Sequence, residues 1–257
     1  MRLLLAIVGF VVLGALWMGP LPDLARTAFS AHMAMHMGVV AVASAFLALG
    51  VAGGRYDPAR RWPAVFSPVP ASFAELIVVW TWHAPALHHF ARSSTTGLML
   101  EQGTFLFAGL WLWTSAIGGV DRRGAGVADV RDRGRGFAAV NRGRRAAGVA
   151  GLLLTSMHMT LLGALLALTP RPLYPHLGGA AGWSPLEDQH VGGAIMLMVG
   201  GLAYLAGGLW LTAGLLRADV ERPARAARSA RPDRGDAATS DASLKAAEAG
   251  LPDGGTV

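Results

Sequence analysis

Five histidines stand out by type and spacing. His32 and His36 are four apart in Ala31-His32-Met33-Ala34-Met35-His36-Met37, so on a helix both imidazoles share one face. His83, His88 and His89 close a second stretch, in which Pro85 should kink the helix and turn imidazoles inward. Met33 and Met37 form a neighbouring stripe, and Met157-His158-Met159 is a third donor cluster, placing His158 in an apolar run. Imidazole suits Cu, Zn, Fe and Ni, whereas thioether selects Cu(I). The chain has no Cys. That excludes disulfides, thiolate zinc sites, iron–sulfur clusters and cysteine nucleophiles, and leaves His and Met as the soft donors. The donor set His32, His36, His83, His88, His158, Met33 and Met37 therefore points to copper, as Cu(I). Four-apart Met on an apolar helix is more often packing than ligation, so the His pairing is the more specific signal. A zinc protease would want an activating Glu between its paired His, and His32 to His36 holds none. Hydrolysis is not expected, and the chain is read as a non-enzyme.

The elements that must position these residues are membrane helices. Of 257 residues 53% are hydrophobic and 15% charged, against about 25% charged in an ordinary soluble domain. Six apolar runs, 3–19, 32–53, 71–91, 99–120, 146–168 and 190–216, approach the roughly 20 residues a bilayer crossing needs. Such runs are helical because lipid leaves unpaired backbone amides unsatisfied. The expectation is an all-α, polytopic membrane bundle of about six helices over 1–216, with a disordered cytoplasmic tail over 217–257. The first run also fits a cleaved signal peptide.

The 22 basic residues, of which only Lys245 is lysine, set the orientation. Arg residues crowd 121–145, 54–70 and the start of the tail, while Arg26, Arg92 and Arg171 stand alone in the alternate loops. By the positive-inside rule both termini are cytoplasmic, as expected for a multi-pass protein of a bacterial inner (plasma) membrane. The Arg excess thus carries topology rather than nucleic-acid binding, for which basic residues would have to be interleaved with aromatics on one face. All eight His avoid the inward segments, and His176 and His190 lie in or beside the last outward loop. Ionisable residues at membrane depth usually mark function. Glu101, at the depth of the His set, is a candidate to orient an imidazole. Glu75 is read as reaching only the inner interface. Asp188 and His190 are likewise expected to support the metal ligands from behind, although an acid at a helix start also suits the dipole without further function.

Four stretches together resemble the CtaG family of cytochrome c oxidase assembly factors. They are His32-Met33-Ala34-Met35-His36-Met37, Trp80-Thr81-Trp82-His83-Ala84-Pro85-Ala86-Leu87, the run from Ala167 to Pro175, and Leu186-Glu187-Asp188-Gln189-His190-Val191-Gly192-Gly193. The resemblance covers roughly residues 30 to 215. It implies a role in maturing the copper-B centre of the oxidase catalytic subunit, which would be the partner. A periplasmic copper donor upstream and membrane lipids around the bundle complete the expected partners. His32, His36 and His83 match the family's histidines, and Asp188 matches its acidic position. Gln102 and His190 depart from its pattern. Two other readings compete: a b-type haem redox protein with paired axial His, and a structural scaffold for oxidase subunits.

Overall fold

The structure, a computed structural model, describes residues 1–119, 132–174 and 182–229, with 132–138 and 218–229 as backbone alone. Every regular element among the described residues is a helix. In chain order these are α1 (Arg2–Met18), α2 (Leu21–Thr27), α3 (Phe29–Met37), α4 (Ser44–Val51), α5 (Pro58–Arg61), α6 (Pro68–Trp82), α7 (Pro85–Ser93), α8 (Thr95–Ile117), α9 (Asp132–Leu168) and α10 (Pro185–Ser229). Residues Met1–Leu215 form one compact unit, and a second begins at Leu216.

Sequence chemistry explains where the helices start. Pro68, Pro85 and Pro185 each occupy a first helical position, where the missing amide costs nothing. Ser94 caps α8 by accepting from Gly97 N at 3.2 Å. Ser184 and Glu187 form a reciprocal capping box on α10: Ser184 N donates to Glu187 Oε2 at 2.8 Å and Glu187 N to Ser184 Oγ at 3.3 Å.

Three helices are long and apolar enough to cross a membrane: Phe29–Val51, Ala139–Leu168 and Pro185–Arg217. A fourth crossing is available if Arg2–Met18 and Leu21–Thr27, which meet at 50°, count as one span. The count is thus three to four where the sequence pattern suggested six. The third expected span divides at His83-Ala84 into α6 and α7, because Pro85 cannot continue a helix whose preceding residues need its amide. The fourth, α8, has 23 residues, but Glu101 and Gln102 lower its apolar character. At the C-terminus helix runs to Ser229, so the first part of the expected tail is helical, in keeping with its Ala and Arg content. The remainder, 230–257, lies outside the described residues, as does His176.

Phe29–Val51 is one continuous helix, with a π-helical turn at Gly38–Ala43 where Ser44 Oγ donates to Val39 O at 2.8 Å. Against this turn α8 packs without clearance: a Cβ at Gly109 would sit 2.6 Å from Val40 O. At Gly193 a Cβ would meet Ala167 N at 2.6 Å, so α9 and α10 cross in backbone contact. Large apolar side chains on the outer faces, Phe10, Phe107, Leu202 and Trp210 among them, are exposed. On a water-soluble protein such a surface would be prone to aggregate; it suits the apolar surroundings of a membrane.

Candidate metal-handling site

At the end of the bundle where α3 begins and α6 ends, four imidazoles come together. His32 and His36 project from α3, His83 ends α6, and His88 lies on α7. His32, His36 and His88 are fully buried and His83 nearly so. Ring centres are 5.0 Å apart for His32–His88, 5.4 Å for His36–His83, 6.0 Å for His32–His83 and 6.2 Å for His32–His36. His83 Nδ1 lies 2.7 Å from Val79 O. A carbonyl only accepts, so Nδ1 carries the proton and Nε2 keeps its lone pair. Both nitrogens of His32 and His36, and His83 Nε2, are buried without a hydrogen-bond partner among the described residues. Buried polar atoms in that condition are rare and costly, and they call for an explanation. Among the described residues no three imidazoles or carboxylates are already arranged to hold one metal ion.

Aromatic rings wall the cluster. Phe105 lies 4.0 Å from the His36 ring, and Tyr174 lies 4.1 Å from the His88 ring while stacking on Phe29 at 4.8 Å. Tyr174 Oη also donates to His83 O at 2.7 Å, satisfying a carbonyl freed by the helix break. The segment bearing Tyr174 is pinned by α10. Gln189 Oε1 accepts from Leu173 N at 2.7 Å, and the His190 ring lies 2.9 Å from Thr169 O.

Asp188 does more than begin α10. Its carboxylate accepts from Phe29 N at 2.5 Å, from Ser30 N at 3.3 Å and from Ser30 Oγ. Ala28, at the N-cap of α3, has no side chain able to do this, so the cap of the histidine-bearing helix comes from the last helix. Residues 1–218 match the cytochrome c oxidase caa3 assembly factors, Caa3_CtaG. The chain belongs to this family. No curated protein and no solved structure matches it.

The other residues singled out in this CtaG-family chain fall in different places. Met33 packs towards Gly192 and Met37 towards Gly200 of α10, on the flank of α3 next to the imidazole face. His158 is buried on α9, and among the described residues it makes no ring contact with the four imidazoles and its two nitrogens have no hydrogen-bond partner. His89 is exposed. Glu101 is fully buried and its Oε2 lies 3.7 Å from His32 Nδ1.

Two residues differ from the sequence expectation. Glu75 does not reach an interface: it is fully buried, accepting from Tyr204 Oη at 2.7 Å and from Thr155 Oγ1 at 3.2 Å, with Ser72 joined to Thr155 at 2.7 Å. The hydroxyls of α9 and α10 make burial of this carboxyl tolerable. Arg92, counted as a loop residue by charge pattern, is 5% exposed and pairs with Glu101. The signal was present in the four-residue spacing from His88 to Arg92, which puts both on one face of α7.

Proposed function

We propose that this assembly factor holds copper transiently, as Cu(I), and passes it to the oxidase catalytic subunit during maturation of its copper-B centre. The observation that carries the reading is the set of unpartnered buried imidazole nitrogens on His32, His36 and His83. Two imidazoles sharing one ion, each through a bond of about 2 Å, have ring centres about 6 Å apart or less. The separations of 5.0–6.2 Å in the cluster fall in that range. Cu(I) accepts few ligands, and a pair of histidines that must rotate to meet it suits a donor better than a closed cage does. Copper here is cargo. In this reading the bundle crosses the inner membrane six times, counting α1, the broken α6–α7 pair and α8, with both termini cytoplasmic and the cluster facing outward.

Purified protein in detergent is expected to bind about one Cu(I), and His36→Ala/His83→Ala to abolish binding. Binding unchanged in that double variant overturns the assignment. In cells, deletion of the gene should leave an oxidase that retains haem and lacks copper. The b-type haem alternative fits the structure less well, because Phe105 and Tyr174 fill the flanks of His36 and His88 where a macrocycle would lie. A Soret band in the purified protein would revive it. A pure scaffold predicts that His→Ala variants still support oxidase assembly.

A further inference from the structure

The groups closest to the imidazoles include one fixed positive and one fixed negative charge. Arg92 and Glu101 pair directly, the first nearly and the second wholly buried. Glu101 Oε2 is 3.7 Å from His32 Nδ1, and Glu101 Oε1 has no hydrogen-bond partner among the described residues. Arg92 is anchored from behind: its Nη1 donates to Ala25 O at 3.2 Å, and its own carbonyl accepts from Arg26 at 3.3 Å. Asp188 at the first turn of α3 and Arg26 on the Arg92 carbonyl add one more charge of each sign, so with neutral imidazoles the surroundings sum to zero before any ion enters. Bringing an ion out of water costs in proportion to the square of its charge, so a divalent ion costs roughly four times a monovalent ion of the same size. Fixed negative charge is what normally offsets that cost, and here Arg92 cancels Glu101, the carboxylate that reaches His32. Imidazole alone does not discriminate, since it suits Zn and Ni as well as Cu.

We infer that Arg92 is a specificity-determining residue: by neutralising Glu101 it restricts the histidine cluster to monovalent soft cations and excludes divalent ones. The inference rests on the copper-handling reading of that cluster.

The test exploits the opposite signs of the pair. Binding of Cu(I) to the full chain in detergent is measured anaerobically by competition with a chromophoric chelator, and binding of Co(II) by its visible absorption bands. The wild type should take Cu(I) and not Co(II). Arg92→Gln leaves an uncompensated carboxylate, and the Co(II) to Cu(I) affinity ratio should rise about a hundredfold, from one unit charge about 6 Å away at an effective dielectric constant of about 20. Glu101→Gln leaves an uncompensated guanidinium and should weaken Cu(I) binding by at least about tenfold. Arg92→Gln/Glu101→Gln restores neutrality and should return to the wild-type preference. It also leaves no unpaired buried charge, so it controls for folding. An unchanged ratio in Arg92→Gln, or wild-type Cu(I) binding in Glu101→Gln, overturns the inference. Absence of Cu(I) binding by the wild type instead overturns the underlying site.

Discussion

Asp188 and Glu75 are both buried carboxylates, and their partners give them opposite duties. Asp188 accepts two backbone amides and a hydroxyl at the first turn of α3, and thereby sets where His32 and His36 stand. Asp188→Ala should cost about 2 kcal/mol of stability, seen as a lower thermal midpoint in detergent, and should weaken Cu(I) binding with it. Glu75 is held by Tyr204 and Thr155 on other helices, and among the described residues it shares no hydrogen bond with an imidazole. Tyr204→Phe should cost about 1 kcal/mol and leave Cu(I) binding unchanged. At this scale the histidine pairing was legible because four-residue spacing is a local property of a helix. The Arg92–Glu101 pair was not, because it joins α7 to α8 across a turn whose geometry depends on Ser94 and Gly97. A charge count along the chain sees Arg92 only as a lone cation between apolar runs.

At the scale of helices, small residues decide how closely the bundle packs. Gly193 and Gly201 lie eight residues apart on α10 and look alike in sequence. A Cβ at Gly193 would meet the backbone of Ala167, whereas Gly201 has nothing within 4 Å. Gly193→Ala should therefore destabilise by about 1–3 kcal/mol, through overpacking. Gly201→Ala should be neutral or stabilise by up to about 1 kcal/mol, since it only lowers the entropy of the unfolded chain and improves helix propensity. Thermal denaturation of the two variants separates them. Hydropathy located the long spans well, since burial in lipid demands an unbroken apolar run. It located the broken one only as a single run, because apolar content from Ala71 to Ala91 does not register that His83-Ala84 leaves the helix. The proline did register it, as an expected kink.

For the whole molecule, orientation is the property that the charge pattern proposes and an experiment can read directly. The chain lacks Cys, so single cysteines can be introduced without any background. Thr96 and Ala64 are both exposed. In intact cells a membrane-impermeant maleimide should label Thr96→Cys and leave Ala64→Cys unlabelled until the cells are opened. The reverse pattern would put the histidine cluster on the cytoplasmic side and end the proposed route of delivery.

The cap that Asp188 places on α3 has a consequence for biosynthesis. Its partner Phe29 precedes it by 159 positions. At about 5–20 residues per second, translation needs about 10 to 30 s to travel that distance. Throughout that interval the helix bearing His32 and His36 begins without its cap, and the loop bearing Tyr174 lacks the α10 contacts that pin it. The histidine cluster is therefore capped and walled only when the last helix has arrived, and on the proposed function a chain truncated before α10 should bind Cu(I) more weakly than the full chain.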